Sequence, residues 1–520
     1  MELETLLTGV NIVTKRLHTE TVSAMTSDSR RVTKGGLFLC VRGLTHDGHE
    51  YAAEAVEKGA AVVVCEDLTC VPAGCDYIQC ENTRLAEALM WNNHYGKPAE
   101  GMLSVAVTGT GGKTSVVHIL KHILEKADHT VGCVTTVAAM AGDKVLSIGE
   151  HGGSSVEDAA GAMTTPDPEY FYGAIAGMRE YGCDILVYEA SSHGLDMHKT
   201  DGIRPKIAVF TNLAREHLDY HGTMDAYLAV KARLFSSMGA EIGICNGDDP
   251  YCRELIRLAE EVPENSIRFL TCGMGNIGNC CTNPGKRNVT AMRFADHGAE
   301  GISFLYCGED AIFRLKTPLV GKYSVYNTME AACAALQCGV EPITVKEALA
   351  DMPCIPGRMQ KLELGNIPFA VFVDYAHTPS ALVNVLETAL AMNPERLTVV
   401  FGCGGDRDKG KRPLMGQAAQ KFAHRVIVTG DNPRFEDPAA IIADITAGME
   451  ETVPYEVIPD RRQAILQCVR TAVVGEIILL CGKGHEKYEI CGGKKIPFNE
   501  EAIVREALAG RHATGENEYE

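Results

Sequence analysis

The sequence has no apolar run approaching the ~18 residues that a membrane span needs, no run of basic residues of the kind that tracks a phosphate backbone, and no Cys-x-x-Cys pair. Its opening stretch, MELETLLTGVNIVTK, carries acids where a secretory signal needs a basic region. No internal repeat of solenoid length occurs, and nothing reads as disordered before the acidic tail after Gly510. These absences exclude a membrane-spanning protein and a repeat scaffold and predict a cytosolic chain. The formal net charge of -19 adds that nucleic acid is not the partner, so small anionic substrates would need local clusters of cations. Cysteine itself is plentiful, with 20 residues, but Cys65, Cys70, Cys75 and Cys80 follow no zinc-ligand spacing. In a reducing compartment they are expected to be small buried apolar residues.

A chain of 520 residues of which 46% are hydrophobic can bury about three cores. Short β-branched runs, each ending in a small or polar cluster and followed by a helical pattern, recur along it: VAVTGTGG, DILVYEASSH, KIAVFTNLAREH, IGICNGDD, FAVFVDYAH, LTVVFGCGGDR, RVIVTGDNPR and EIILLCGKGH. Continuous apolar strands alternating with helices predict an α/β fold whose parallel sheets are covered on both faces. Ligands in such sheets collect at the carboxyl ends of strands, where these polar clusters fall. Proline and glycine punctuation near Gly96-Lys97-Pro98 and between Pro353 and Gly357 predicts three domains, roughly 1–100, 101–355 and 356–520.

The stretch Leu103 to Ser115, LSVAVTGTGGKTS, is the strongest local signal. An apolar strand breaks into Gly109, Thr110, Gly111 and Gly112, then Lys113, Thr114 and Ser115 open a helix whose apolar residues Val116, Val117, Ile119, Leu120, Ile123 and Leu124 fall on one side. Backbone N–H groups of such a loop cradle phosphate, Lys113 reaches the terminal phosphates and Thr114 suits Mg²⁺, so phosphoryl transfer from a nucleotide triphosphate is expected. The usual phosphate loop has a further glycine where Val107 stands. A connector loop without ligand is the plainer alternative, disfavoured by three glycines followed by Lys-Thr at a strand-to-helix junction.

Taken together, the ordered motifs resemble those of the Mur ligase family, and most closely its MurE type, which adds the third residue of the peptidoglycan stem peptide. The likeness rests on DSRRV, GGLFLCVRG and DGHEYA in the first domain, and on TGTGGKTS, MTTPD, EASSHGLD, NLAREHLDYHGTMDAY and VGKYSVYN in the second. IPGRM, VDYAHTP, GCGGDRDKGKRPLM, DNPR and GKGHE carry it through the third. The resemblance implies a P-loop-type central ATPase domain, a Rossmann-like C-terminal domain and a smaller N-terminal α/β domain. It also implies that ATP converts a substrate carboxylate to an acyl phosphate, which an amino acid's amine then attacks. A carboxylate is a poor electrophile, and the enzyme's task is to place two anions together and neutralise their repulsion.

The residue roles implied by the likeness follow the same logic. Lys113, Glu189, His217, Lys231 and Arg358 are the expected catalytic set, with Thr114, Glu189 and His217 around Mg²⁺ and His221 nearby. Read alone, Glu189 would pass for a satisfied strand-end carboxylate and Lys231 for a solvated lysine on an amphipathic helix. In the family this lysine is carbamylated by CO₂, which turns a cation into a metal-holding anion. Asn327, Arg358 and Asp374 match positions that hold ATP, beside His377, and Arg358 would couple domain closure to catalysis. Ser29, Leu44, Thr45 and His46, then Thr164, Thr165, Ser191 and Lys199, match the path of a uridine-diphosphate muramoyl peptide. Met197 stands where a glutamine is expected and Lys199 where an arginine is. Arg407, Asp431, Asn432, Pro433, Arg434, Gly482 and Glu486 match the amino-acid site. The DNPR form accompanies meso-diaminopimelate, whose distal carboxylate suits Arg434. A monomer using Mg²⁺ and ATP, with UDP-N-acetylmuramoyl-L-alanyl-D-glutamate and meso-diaminopimelate as substrates, is the expectation. A lysine-adding ligase, a folylpolyglutamate-synthase-like ligase and a nucleotide-binding scaffold are the alternatives.

Overall fold

The computed structural model describes residues 1–43, 46–146, 164–263, 265–275, 287–308 and 311–513. The chain forms two compact units: Met1–Gly273 with Ile277–Val289 and Glu330–Thr344, and Met274–Asn276 with Thr290–Met329 and Val345–Glu520. Three α/β domains are built within them, as the sequence patterning predicts: the five-stranded N-terminal sheet and the parallel strands of the central sheet lie in the first unit, and a six-stranded and a two-stranded sheet lie in the second.

The N-terminal sheet has the spatial order Ile12–Arg16, Asp76–Cys80, Ala60–Cys65, Gly36–Leu39, Met25–Thr26, antiparallel only at its first pair. One of its faces packs Phe38, Cys40, Val63 and Cys65 against the helix Ala52–Glu57. The central sheet runs Arg268–Met274, Ile242–Asn246, Ile207–Phe210, Leu103–Thr108, Ile185–Glu189, Val131–Val134, all parallel, and ends in the antiparallel strands Ala139–Ala141 and Lys144–Val145. Register pairs Glu189 with Val107 and Phe210 with Thr108, so three strands stop at one carboxyl edge beside the glycine loop.

The strands Arg287–Asp296, Ile302–Cys307 and Ile312–Thr317, which lie in the second unit from Thr290 onward, form an antiparallel meander. The six-stranded C-terminal sheet has the order Gln360–Lys361, Ala370–Asp374, Glu476–Cys481, Arg396–Phe401, Arg425–Val428, Glu456–Val457, parallel after its first pair. Alternate residues of its strands enter two separate cores. Phe372, Val399, Phe401 and Leu479 pack on one face with the helix residues Leu382, Leu386 and Met415, whereas Val371, Val373, Val400, Ile478 and Leu480 pack on the other with Ile465, Val469 and Val504. Both faces are apolar, which is why these strands read as unbroken hydrophobic runs with no period of two.

Most described cysteines are buried as expected, but Cys354 and Cys491 are exposed and Cys70, Cys75 and Cys338 only half-buried. The spacing carried no information on exposure, because Cys70, Cys75, Cys338 and Cys354 lie in turns, loops and helix ends and Cys491 ends a strand of the small two-stranded sheet. Among the described residues no helix is long and apolar enough to cross a membrane. Phe401 is fully buried at the centre of the C-terminal sheet. Phe401→Ala is expected to lower unfolding free energy by about 3 to 5 kcal/mol, read by urea titration at unchanged m-value.

Candidate active site

The glycine loop closes on itself through its neighbours. Gly109 has φ +147° and Gly112 φ +86°, conformations that a side chain would strain, and a Cβ on Gly109 would run into Thr211 Oγ1. Gly112 then caps the helix Lys113–Lys126. The loop that follows the neighbouring strand supports it: Thr110 N donates to the Asn212 carbonyl (2.9 Å), Gly111 N to Asn212 Oδ1 (2.9 Å), and Thr211 Oγ1 to the Gly111 carbonyl (2.6 Å). Lys113 folds back over the loop, its Nζ donating to the carbonyls of Gly109 (2.9 Å) and Thr110 (3.0 Å).

Thr114 and Glu189 meet at this edge, the hydroxyl donating to Glu189 Oε1 over 2.8 Å. Glu189 is buried and also accepts from Thr136 N and Thr136 Oγ1, each at 3.0 Å, so a carboxylate is fixed beside the hydroxyl that opens the helix. Lys231, on the helix Met224–Ala232, is buried with its Nζ 3.0 Å from the Gly109 carbonyl and 4.6 Å from the Tyr227 ring centroid. Burial, reinforced by the neighbouring Lys113 cation, drives its pKa far below the usual lysine range. The sequence alone favoured a solvated lysine here, and the structure corrects that reading: the helix turns this position onto the loop.

His193, His217 and His221 form an aromatic cluster with Tyr220 and Tyr227, the ring of His193 lying 4.8 Å from His217 and 4.3 Å from Tyr220. Burial is the main cause that lowers each of the three imidazoles to about 4, with Lys113 and Lys231 adding to the effect at His217. They are neutral at pH 7, the form that ligates a cation. The hydroxyl of Thr114 and the fixed carboxylate of Glu189 are an oxygen-donor pair that fits Mg²⁺, and a neutral imidazole is compatible with such an ion, whereas Lys231 as an ammonium is not.

The path expected for the muramoyl peptide continues from Glu189. Thr165 Oγ1 lies 3.1 Å from the Glu189 carbonyl and 2.9 Å from Ser191 Oγ, and Ser191 caps the short helix Ser192–Asp196. Lys199, buried, reaches the Thr165 carbonyl (3.3 Å) and the Asp167 carboxylate (2.8 Å). Thr164 directly precedes this group, and Met197 ends the helix as its C-cap. Ser29 opens a 3₁₀ turn whose Arg31 makes a two-pronged ion pair with Glu169 at 2.8 and 2.7 Å. His46 packs edge-on against Tyr51, and Leu44 and Thr45 lie outside the described residues.

In the second unit Asp374 ends its strand and anchors two turns, Oδ2 accepting from Met359 N (2.6 Å) and Oδ1 from Ala376 N (2.7 Å). Burial raises its carboxyl, and Arg358 opposes that. The Arg358 guanidinium lies 5.0 Å over the Tyr375 ring, which also faces His377 and His485. Asn327 is buried on the helix Lys322–Gln337.

Of the residues expected at the amino-acid site, Asp431, Asn432, Gly482 and Glu486 come together. Burial pushes the Asp431 carboxyl up, but the Lys483 and Arg461 cations outweigh it and hold Asp431 below the usual carboxylate range. Lys483, fully buried, donates to Asn432 Oδ1 (3.0 Å) and the Tyr488 carbonyl (3.0 Å) and lies 3.7 Å from Asp431. Glu486 accepts from Asn432 Nδ2 (2.7 Å), and burial, with Asp431 close by, raises its carboxyl. Gly482 has φ +114°, and a Cβ there would lie 2.5 Å from Asp431 Oδ2. Arg434, at φ +54°, donates from Nη1 to the Gly405 carbonyl (2.8 Å), and Arg407 Nη1 donates to the Asp406 carbonyl (3.1 Å). Pro433 crosses Gly405 so closely that a Cβ there would clash with its carbonyl. Sequence reasoning missed Lys483, although it stands inside the GKGHE cluster at a strand end.

Comparison with known proteins identifies this arrangement. Residues 21–99 match the family model described as Mur ligase family, catalytic domain; 107–335 match the Mur ligase middle domain and 357–484 the Mur ligase, glutamate ligase domain. The chain belongs to the Mur ligase family. It is an ATP-dependent ligase of the acid–amino-acid class. The UDP-N-acetylmuramoyl-L-alanyl-D-glutamate--2,6-diaminopimelate ligase of Syntrophomonas wolfei is 37% identical over 496 residues, covering 94% of this chain and 95% of its own. The ligase of the same name from Geobacillus thermodenitrificans is 35% identical over 520 residues, covering 98% and 100%. A solved structure of a ligase of that name superposes with TM-score 0.66 at 29% identity over 98% of this chain and 99% of that one. E. coli FolC in complex with ADP shares the fold at TM-score 0.59 and 18% identity, over 83% and 94%.

The neutral histidine cluster has a measurable consequence. Unfolded imidazoles take up a proton near pH 6.5, and the folded ones only near 4. The unfolded state thus binds more protons between those values, and stability falls as pH drops through that window. His221→Gln is expected to flatten the dependence of Tm on pH there; an unchanged slope contradicts the neutral cluster.

Proposed function

We propose that this Mur ligase joins meso-diaminopimelate to the D-glutamate of UDP-N-acetylmuramoyl-L-alanyl-D-glutamate at the expense of ATP. The observation that carries the reading of the amino acid is Arg434, pinned by the Gly405 carbonyl in the same unit as a buried, charged Asp431. A fixed guanidinium suits the distal carboxylate of meso-diaminopimelate, and Asp431 with Glu486 suits its ammonium groups. Full-length relatives bearing that activity in their names support the same choice.

The residues divide the chemistry between them. Gly109 to Ser115 hold the ATP phosphates through backbone N–H groups, and Lys113 exchanges its two loop carbonyls for phosphate oxygens. Thr114, Glu189 and His217 would hold Mg²⁺, which when bound neutralises phosphate charge. We assign Asn327, Arg358 and Asp374 to ATP, and Ser29, Leu44, Thr45, His46, Thr164, Thr165, Ser191 and Lys199 to the nucleotide-linked peptide. The γ-phosphoryl group passes to the D-glutamate side-chain carboxylate as its P–O bond to ADP breaks; the amine of the incoming amino acid then attacks the acyl carbon and gives up a proton, the amide bond forms, and the C–O bond to phosphate breaks. Three domains, 1–100, 101–355 and 356–520, carry these tasks, and one chain in the cytoplasm supplies every residue named.

Lys231 is assigned to carbamylation. Its amine is buried and its pKa is driven down, which favours the neutral form whose Nζ lone pair can attack CO₂; the N–C bond forms and a proton leaves, giving an anion at the glycine loop beside the Gly109 carbonyl. With ¹³C-bicarbonate the protein is expected to show a carbamate carbon resonance that Lys231→Arg abolishes, and its absence from the native protein would refute the assignment.

Phosphate release from ATP with the UDP-muramoyl dipeptide as acceptor tests the main reading, with meso-diaminopimelate, L-lysine or no amino acid supplied in parallel. Release with meso-diaminopimelate alone is expected, and Arg434→Ala is expected to lower kcat/KM for it about 30-fold, the equivalent of ~2 kcal/mol for a lost charge-assisted pair. Release with lysine instead discards the diaminopimelate assignment, and silence with every amino acid favours another acceptor or a scaffold.

A further inference from the structure

Two loops of the C-terminal domain carry the arginines assigned above to the amino acid, and each contains a non-glycine residue in the left-handed region, Asp406 at φ +53° and Arg434 at φ +54°. Such conformations persist only where the surroundings over-determine them. Here the surroundings are specific. Glu436 Oε1 accepts from Asp406 N (2.5 Å) and Arg412 Nη2 (2.9 Å), while Oε2 accepts from Arg412 Nη1 (3.1 Å) and lies 3.3 Å from Lys409 Nζ. Arg412 also bonds Asp444 (2.8 Å) and the Gly404 carbonyl (3.4 Å). The loops tie back to each other through Phe435 N to Asp406 Oδ2 (3.2 Å), Gly405 N to the Asn432 carbonyl (2.9 Å) and Arg434 Nη1 to the Gly405 carbonyl.

Arg412 is fully buried, so its charge is not available to a substrate. A buried guanidinium is retained only when paired, and of its two carboxylate partners one, Glu436, lies two positions beyond Arg434 and also holds the backbone of Asp406, the residue before Arg407. We propose that Glu436 and Arg412 are positioning residues that fix the spacing of Arg407 and Arg434 and so set selection for an amino acid with a second, distal carboxylate. The inference rests on the assignment of Arg434 made above. Without the brace, Asp406 and Arg434 relax from the left-handed region, the two guanidinium groups lose their common register, and a misplacement of the order of 1 Å costs about 100-fold.

The test is steady-state kinetics of Glu436→Gln, which keeps shape but loses the charge, with Tm measured alongside. KM for meso-diaminopimelate is expected to rise about 10- to 100-fold, with kcat and the KM values for ATP and the UDP-muramoyl dipeptide within about threefold of native, and with the preference for meso-diaminopimelate over L-lysine falling in proportion. Arg412→Lys retains the charge without the fork and is expected to give the same pattern in weaker form, which serves if Glu436→Gln does not fold. An unchanged KM and preference, or an equal loss towards all three substrates, overturns the proposal. Failure of the native enzyme to use meso-diaminopimelate instead removes the assignment beneath it.

Discussion

Two lysine side chains, Lys113 and Lys231, donate to one carbonyl, that of Gly109, at 2.9 and 3.0 Å. Burial, with the neighbouring cations adding to it at Lys231 and His217, lowers the pKa of Lys231 and of three imidazoles in the same region, so the site is poor in groups that keep a positive charge. The other features of the central site suit a phosphate anion and the cation that accompanies it. The glycines hold N–H groups open, Asn212 and Thr211 brace the loop from the next strand end, and Glu189 is locked by Thr114 and Thr136 before any cation arrives. Such preorganisation is what makes phosphate chemistry fast, since no group has to reorient as charge develops.

The C-terminal site solves the complementary problem of holding buried negative charge. Asp431 stays ionised because Lys483 and Arg461 outweigh its burial, and Arg461 is in turn paired with Glu500. Glu486 lies on the other side of the balance, its carboxyl raised by burial and by Asp431. Two acids with opposite shifts, and arginines on the adjoining loops, form a patterned recognition surface in which each partner fixes the next.

Much of this was legible in the chain. Unbroken apolar runs ending in polar clusters identified parallel sheets, because alternate residues such as Val399 and Val400 are both buried, in different cores. The glycine loop, Thr114 and Glu189 could be placed at one edge because strand ends in such sheets coincide. What the sequence did not show arose from tertiary placement. A helical lysine looks solvated until its helix is seen to face the loop, as Lys231 does. Lys483, Glu436 and Arg412 look like ordinary surface charges in turns and helix starts, and only folding puts them under the residues they hold. The left-handed backbone of Arg434 likewise leaves no mark in composition.

The central claim is that phosphate binding at Gly109 to Ser115 serves to activate a carboxylate. With the glutamate side-chain carboxylate of the UDP-muramoyl dipeptide labelled with ¹⁸O, turnover in the presence of ATP and meso-diaminopimelate transfers one labelled oxygen to each inorganic phosphate, because the acyl phosphate breaks at its C–O bond. Unlabelled phosphate accompanying amide formation would contradict the account.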